Sequence, residues 1–345
     1  MGLILFALFG ILCVLSLGED RFSDKGRYLA MLLLGLLMIL IAGLRPDDVD
    51  NDYKNYVDMY HNSFAIDTEP TFILIASFVE FFINNVVGLF FIYAAISLIV
   101  HVESIKKLTS LWFLSLLVYL ANYYLLHEMN QIRVGVSAGL FLVALYYLGN
   151  GERRRFLLFA FFATLFHYTA VVLFFFAFFD GKPFKKWQYY FYLSIIPFAY
   201  LLYFLHISIL TTIPIPYFEE KLRLYQALQA GGGMWDEINV FNLVLLTKIA
   251  MTLFLLWKSS LVYEYNKYVY LLLKIEIISI AAWVALYEMP VVAMRMSELL
   301  GVVEIVLFPM LYYTVKPSWL GKSVVIVVAG VLLFISLYYN KVVYI

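Results

Sequence analysis

Three arginines lie near the ends of apolar runs, where a charged side chain is unexpected. Arg45 follows the second run, Arg133 lies at the start of the fifth, and Arg295 lies near the start of the ninth. A charge deep in a bilayer costs about 3 kcal/mol on insertion scales, so such residues usually line a cavity or a pathway. Arginine binds phosphate bidentately and stays charged at any working pH. Three such groups at similar depth suit a diphosphate at the membrane surface, although each alone could instead pair with a neighbouring acid.

Candidate general bases and substrate-binding side chains occur at the ends of the same runs. Imidazole is a common general base in enzymes, and Asp52 or Glu128 would also accept a proton, so His167, Asp52 and Glu128 are the candidate catalytic residues. Tyrosines at these positions could stack on sugar rings, although tyrosine at the end of a membrane span is also the ordinary interfacial belt. The predicted substrate-binding residues are Tyr53, Tyr56, Glu69, Gln131 and Glu288.

Four aspartates follow Arg45 within one loop, at positions 47, 48, 50 and 52. Oxygen ligands suit Mg²⁺ or Mn²⁺, and loop acids of this kind serve metal-dependent membrane glycosyltransferases as base or metal ligand. Aspartates in a loop are more often simply solvated. We therefore predict neither a metal nor a cofactor.

Membrane helices must position these residues. The chain has 345 residues, of which 64% are hydrophobic and only 14% charged, and its mean hydropathy is +0.88. A soluble protein has about 25% charged residues. The zero net charge also gives no basic surface for nucleic acid,. Apolar runs long enough to cross a bilayer occur at 2–17, 28–44, 86–102, 108–126, 132–148, 187–205, 239–257, 269–287, 292–313 and 323–339,.

We predict an all-α polytopic integral membrane protein with about 10–12 transmembrane or partly spanning helices, forming a single domain over residues 1–345. Lysine and arginine in short loops mark the cytoplasmic side. The basic loops at 18–27, 103–107 and 149–155 are then cytoplasmic. The predicted external loops cover about 45–85, which includes a short helix at 71–83, and 206–238.

Residues 156–179 decide the orientation of the second half. A single crossing would place the following lysines outside, whereas a helical hairpin with a break near Phe166 and His167 keeps them inside,. The charge rule favours the hairpin. Each leg is too short to span the bilayer, so the break must be shielded by protein or face a cavity.

The sequence resembles the EpsG-like, Wzy-type polysaccharide polymerases of bacterial inner membranes. Several segments carry this resemblance, and they occur in order over most of the chain. They are GLRPDDVDNDYKNY at 43–56, Glu69–Pro70, NQIRVGVSAGLFLVALYYL at 130–148 with the following ERRR, ATLFHYTAVVLF at 163–174, and AMRMSELL around Arg295. The sequence departs from the family pattern at Val134 and Gly135, where a Gln- or Ala-rich stretch is common.

The resemblance implies a glycosyltransferase with a GT-C-like membrane core that needs no metal. Such an enzyme would join oligosaccharide repeat units carried on undecaprenyl diphosphate at the periplasmic or outer leaflet of the inner membrane. Arg133 and Arg295 would hold the donor diphosphate, with Arg45 assisting or binding the acceptor's diphosphate. His167, Asp52 or Glu128 would activate the acceptor hydroxyl. The expected partners are these lipid-linked oligosaccharides, membrane lipid, and a chain-length regulator and flippase of the same pathway, with no nucleic acid.

Two other functions stay open at this point. The first is a lipid-monophosphate-sugar glycosyltransferase that uses an aspartate of the loop as base. The second is a flippase or transporter of lipid-linked oligosaccharide, with the arginines lining a translocation cavity. Transporters often carry internal repeats, and no counterpart of the Arg133 to His167 region follows residue 187. The sequence therefore favours the polymerase.

Overall fold

The fold is built from helices. The computed structural model describes residues 1–47, 49–63, 68–207 and 238–344. Within these ranges extended pairing occurs at one isolated bridge, between Asp50 and Val343. The prediction of an all-α polytopic membrane protein is confirmed.

Each of the ten predicted apolar runs coincides with one helix or with consecutive helical segments. In chain order the helices are α1 Gly2–Leu17, α2 Asp24–Gly43, α3 Tyr53–His61, α4 Pro70–Phe82, α5 Val86–Leu108, α6 Trp112–Tyr119, α7 Ile132–Gly149, α8 Arg153–Phe166, α9 Lys186–Phe204, α10 Leu243–Trp257, α11 Ser259–Tyr263, α12 Val269–Ala285, α13 Pro290–Gly301, α14 Glu304–Leu307 and α15 Ser318–Phe334. Segments with wider or tighter helical turns follow four of these helices. They are Leu120–Asn130 after α6, Tyr168–Phe178 after α8 and its break at His167, Phe308–Tyr313 after α14 and Ile335–Tyr339 after α15.

Helix α7 lies at the centre of the bundle. Among the described residues, four helices are long and apolar enough to cross a membrane: α2, α5, α7 and α15 with its continuation. In α7, 78% of the apolar 18-residue stretch is buried inside the protein, whereas in each of the other three helices 44% or less of this stretch is buried. Small residues at Gly135, Ser137, Ala138 and Gly139 allow neighbouring helices to approach α7 closely,. The other three helices therefore face lipid on one side.

The loops predicted to be cytoplasmic meet at one end of the bundle, which we call the basic end. Side chains of one loop donate to backbone or side-chain oxygens of another, so these loops are held together. These hydrogen bonds run from Arg27 to the Ser110 carbonyl, from Asn266 to the Leu108 carbonyl and from Lys267 to Asn150.

Residues 156–179 form the predicted hairpin. His167 is extended, with φ −155° and ψ 120°, and interrupts the helix between its two legs. A methyl group placed on Gly181 would lie 3.9 Å from the Cα of Gly149, which precedes the first leg. The chain has thus returned to the basic end, where Lys274 donates to Asp180 at 2.8 Å. The hairpin prediction is confirmed.

The opposite end of the bundle, called the site end below, holds the external loop predicted from residue 45 onward. Here Asn130 donates to the Val342 carbonyl at 2.7 Å, and the backbone amide of Tyr344 donates to Val49 at 2.7 Å. The chain's last described residues therefore pack against this loop. The loop predicted at 206–238 falls on residues 208–237, which lie outside the described part of the chain.

Gly135 sets the contact between α7 and the turns that precede it. A Cβ at this position would lie 2.6 Å from the carbonyl oxygen of His127 and 3.0 Å from its Cβ. The backbone must therefore move to admit a side chain. We expect Gly135→Ala to lower the free energy of unfolding by about 1–3 kcal/mol, measured by thermal unfolding of the purified protein in detergent.

Gly10 in α1 provides the matched control. A Cβ there would meet no atom within 4 Å, and alanine is a better helix former than glycine. Gly10→Ala is therefore expected to leave stability unchanged or raise it by about 0.5–1 kcal/mol. Equal melting temperatures for the two variants would contradict a tight contact at Gly135.

Candidate functional site

Glu69 binds two of the predicted site residues at once. Its Oε1 accepts a hydrogen bond from Nδ1 of His167 at 2.8 Å, and its Oε2 accepts one from Nη1 of Arg133. Because an ionised carboxylate only accepts, the proton lies on Nδ1 of the imidazole. The side chains are largely enclosed, with exposed fractions of 4% for Glu69, 8% for His167 and 21% for Arg133. The structure thus brings together three residues that are far apart in sequence.

The local backbone explains why these side chains meet. Glu69 is extended and Pro70 occupies the first position of α4, where its missing N–H removes no hydrogen bond,. His167 projects from the extended break between the hairpin legs. The hydroxyl of Thr71 donates to the carbonyl of Leu165 at 2.7 Å. This bond ties the start of α4 to the end of α8 and so fixes Glu69 beside His167.

Glu69 is ionised at any physiological pH. Burial raises the pKa of this carboxyl, but the hydrogen bond from His167 and the charge on Arg133 outweigh burial and lower the pKa from 4.5 to about 2. The carboxylate therefore remains an acceptor for both partners, and it neutralises one positive charge in the enclosed site.

Asp52 connects this group to a second arginine. Burial raises the pKa of Asp52 above 3.8, whereas the hydrogen bond from Asn55, at 3.0 Å, and the charges of Arg133 and Arg295 oppose that rise. Both guanidinium groups therefore act on one carboxylate. Arg295 itself is exposed on α13. Residues from the loop after α2, from α7 and from α13 thus share one electrostatic environment.

Arg45 is buried and fully engaged, which corrects the expectation that it contacts a substrate. Its Nε donates to Asp50 at 2.5 Å, Nη1 to the Ala42 carbonyl at 2.9 Å and Nη2 to the Met129 carbonyl at 2.8 Å. The guanidinium lies 4.1 Å from the ring centroid of Phe90, and neither member of the ion pair has an exposed side chain. A diphosphate could reach this group only by displacing protein contacts.

The ion pair of Arg45 instead positions Asp52. The second oxygen of Asp50 accepts a hydrogen bond from the backbone amide of Asp52 at 2.9 Å. Asp52 immediately precedes α3. The buried pair therefore anchors the start of this helix, and with it the carboxylate that faces the two arginines.

Glu128 is enclosed in a separate polar group inside the bundle. Its Oε1 accepts from Ser97 at 2.6 Å and from the hydroxyl of Tyr119, and the residue is 1% exposed. Burial on this scale prevents an acceptor hydroxyl from reaching the carboxyl. The expectation that Glu128 is the general base therefore does not fit its surroundings.

Tyr53 and Tyr56 also turn inward, so they offer no free ring face to a sugar. Tyr53 packs on Phe90 with ring centroids 4.6 Å apart. The ring of Tyr56 lies 6.3 Å from that of Phe72, and the guanidinium of Arg133 lies 5.8 Å from both rings. These rings shape the walls of the site. The expectation that they stack on a substrate is accordingly replaced by a packing role.

Gln131 and Glu288, the two remaining predicted site residues, lie in different surroundings. Gln131 precedes α7 and lies against Glu298, one turn after Arg295. Glu288 lies before α13 and its carboxylate accepts from Tyr287 at 3.2 Å. Gln131 therefore lies beside the arginine site, while the described contact of Glu288 is with its own neighbour in sequence.

A group of ionisable side chains inside the apolar runs was not predicted as a site. Lys248 forms an ion pair with Glu304 at 2.7 Å and also lies within electrostatic reach of Glu276 and Glu298. Asn122 donates to the other oxygen of Glu304 at 2.7 Å. The sequence contained a signal for this group, because one lysine and three glutamates within apolar runs must find partners or a cavity.

The sequence matches a known protein family over most of its length. The sequence model of the EpsG family matches residues 28–345. The match begins within α2 and includes every candidate site residue. Comparisons with curated proteins and with solved structures find no match.

Proposed function

The chain belongs to the EpsG family, and from that premise we propose that it is a polysaccharide polymerase of the bacterial inner membrane. It joins oligosaccharide repeat units carried on undecaprenyl diphosphate, at the periplasmic or outer leaflet. The growing chain is transferred from its own lipid diphosphate to a hydroxyl of the incoming lipid-linked unit. A chain-length regulator and a flippase of the same pathway are proposed partners.

The observation that carries this proposal is that Asp52 lies within electrostatic reach of both Arg133 and Arg295. Arg295 is exposed, and 21% of the Arg133 side chain is exposed. Both arginines therefore retain donors for an anion.

The reaction needs stabilisation of the departing diphosphate. The acceptor oxygen attacks the anomeric carbon of the donor sugar, and the bond from that carbon to the diphosphate oxygen breaks. The diphosphate leaves with the bonding electron pair. Arg133 and Arg295 donate to its oxygens, where negative charge develops. The hydroxyl proton passes to a general base.

Asp52 is the general base in this proposal. Its carboxyl is partly exposed, whereas Nε2 of His167 is buried and without a hydrogen-bond partner among the described residues. A base must come within hydrogen-bond reach of the proton that it removes. His167 and Glu69 are therefore positioning residues, which hold Arg133 in place through the shared carboxylate.

Asp52→Asn is expected to lower kcat for polymer formation by about 10²-fold, because an amide cannot accept the hydroxyl proton. In the wild type kcat should fall as the pH is lowered through the pKa of Asp52, since the base must be ionised. This fall at low pH, which is the acidic limb of the pH profile, should be missing from the residual activity of the variant. The measurement is the rate of polymer formation by purified protein across a pH series.

Asp47→Asn is the matched control, because Asp47 lies in the same loop but is exposed. Its kcat and pH profile should equal those of the wild type. A wild-type rate and an unchanged acidic limb in Asp52→Asn would rule out Asp52 as the base.

The function itself is tested with purified protein in liposomes that contain lipid-linked repeat units. The proposal expects longer polymer, with one lipid diphosphate released for each linkage, and activity that survives chelation of divalent metals. Transfer of lipid-linked units between leaflets without any polymer would overturn it in favour of transport. Strict dependence on Mg²⁺ or Mn²⁺ with a lipid-monophosphate sugar would overturn it in favour of the other transferase.

A further inference from the structure

A polar cavity lies between helices at the site end, beside the arginines. It has a volume of about 170 Å³ and is lined by residues of α10, α12 and α13 and of the segments that follow α6 and α15. Val342 lies in its wall, and the carbonyl of the same residue accepts from Asn130. The cavity therefore lies at the same end of the bundle as Asp52 and Arg133.

The lining has the chemistry of a carbohydrate site. Amide side chains both donate and accept, as sugar hydroxyls do, and an indole adds an apolar face with one N–H donor. The indole Nε1 of Trp283 is buried and has no hydrogen-bond partner within the described ranges, so a donor is left for a ligand. The polar lining residues that matter here are Asn122, Asn242, Lys248, Trp283, Glu298 and Asn340. Asn122 and Asn242 already bond to protein groups, so Asn340 is the lining amide whose side chain has no hydrogen bond among the described residues.

The charged groups in the wall of the cavity and close behind it disfavour an anionic ligand. Lys248 is the one lysine among the described residues that line the cavity. Its ammonium group is already paired with Glu304 at 2.7 Å. Glu298 is in the wall and Glu276 lies close behind Lys248. An anionic ligand therefore meets no unpaired cation in the described lining of the cavity. An uncharged polyol needs no such cation and can use the Asn340 amide as well.

The size of the cavity suits a single ring. Sites that enclose a whole drug-sized ligand have volumes of roughly 300–1,000 Å³, and the cavity measures about 170 Å³. An oligosaccharide would therefore place one of its sugars inside and leave the others toward the surface.

Glu298 places this cavity next to the arginine site. It lies one helical turn after Arg295 on α13, and its carboxyl is within electrostatic reach of both Arg295 and Lys248. Gln131, which is two residues before Arg133, lies against the same carboxyl. A ligand whose diphosphate contacts the arginines would thus have its next chemical group at the mouth of the cavity.

We infer that the cavity is the subsite for an uncharged sugar ring of the donor, namely the ring bonded directly to the lipid diphosphate. This inference rests on the proposed function, since it takes the arginines as the diphosphate site. The subsite holds the ring by hydrogen bonds with the Asn340 amide and by contact with Trp283. It excludes uronic acids from this position of the repeat unit.

The test measures binding of defined lipids to the full chain in nanodiscs. The probes are undecaprenyl diphosphate alone, the same lipid carrying one glucose, galactose or N-acetylglucosamine, and the lipid carrying one glucuronic acid. The best neutral-sugar probe should bind at least about 10-fold more tightly than the bare lipid, which corresponds to one or two net hydrogen bonds. The glucuronic acid probe should gain nothing over the bare lipid.

Two variants separate the subsite from the arginines. Trp283→Leu and Asn340→Ala should each remove most of the gain from the sugar and leave Kd for the bare lipid unchanged. Asn340 is exposed, so its variant keeps the test valid if Trp283→Leu fails to fold. Trp257→Leu is the control, because Trp257 is 64% exposed at the end of α10, and it should bind all probes as the wild type does.

The outcomes that contradict the two proposals differ. If no neutral sugar improves on the bare lipid, or if both cavity variants weaken all probes equally, the subsite is ruled out. If Arg133→Ala leaves binding of the bare lipid unchanged, the diphosphate assignment is ruled out, and a sugar-dependent gain in the wild type is still measurable.

Discussion

Arg133→Ala is expected to lower polymer formation by up to about 10³-fold, because a donor aimed at the departing diphosphate is lost. Single repeat units should still accumulate on the lipid carrier, since the steps before polymerisation do not use this protein. The measurement is the chain-length distribution of the polymer in cells and the rate with purified enzyme, both at matched protein levels. Normal chain lengths at wild-type protein levels would contradict the assignment.

Arg133→Lys distinguishes the charge of this residue from its geometry. Lysine keeps the positive charge but cannot contact Glu69 and a phosphate through one planar group. We expect activity between those of the wild type and the alanine variant. Arg154→Ala is the control, because Arg154 is exposed at the basic end, and its activity should equal that of the wild type.

Arg133→Ala also removes the ion pair with Glu69. Its effect on stability must therefore be separated from its effect on catalysis. Removing the arginine leaves Glu69 with only His167 as a side-chain partner at that site, and a buried carboxylate that loses a charged partner destabilises the fold. The double variant Arg133→Ala with Glu69→Gln removes this unpaired charge. If activity stays low while the melting temperature recovers, the loss in Arg133→Ala is catalytic.

The helices were predictable because each depends on a local property of the chain. An apolar run long enough to cross the bilayer forms a helix in order to satisfy its own backbone. The same reasoning gave the hairpin at 156–179, since the alternative moves lysines to the wrong side. The structure agrees with this charge pattern, because a Cβ added at Gly181 would lie 3.9 Å from the Cα of Gly149.

The roles of individual charges were not predictable, because they depend on partners far away in sequence. Arg45 and Arg133 look alike in the sequence, each at a span end with acids nearby. Only packing distinguishes them: Arg45 donates to a carbonyl 84 residues away and is sealed, whereas Arg133 keeps 21% of its side chain exposed. Glu69 was predicted to bind substrate, and its place between Arg133 and His167 depends on the fold of α4 against α8.

The ionisable group around Lys248 shows the same limit. Lys248 and Glu304 lie in separate apolar runs, and nothing in their spacing marks them as partners. Their pairing at 2.7 Å requires the folded bundle. The sequence does show that Lys248, Glu276, Glu298 and Glu304 lie inside apolar runs. Such residues require a polar interior, and the cavity beside Glu298 is part of it.

The buried pair of Arg45 and Asp50 yields the largest expected effect on stability. Arg45→Ala leaves the Asp50 carboxylate, which has no exposed surface, without its counter-ion, and it removes the donors to Ala42 and Met129. Breaking a buried ion pair in this way costs about 3–5 kcal/mol. The measurement is thermal unfolding in detergent, with the exposed pair of Arg155 and Glu152 as control. Arg155→Ala should cost less than about 1 kcal/mol, since that arginine is 61% exposed,.

A double variant shows whether the pair supplies stability or position. Arg45→Met with Asp50→Leu removes both charges and replaces the two side chains with apolar ones of similar volume. Replacements of this kind are often neutral or stabilising. The melting temperature should therefore recover toward that of the wild type. Activity should stay low, because Asp50 no longer accepts from the backbone amide of Asp52 and the general base loses its anchor. Recovery of both stability and activity would mean that Asp52 finds its place without this pair, and that Arg45 only neutralises a charge.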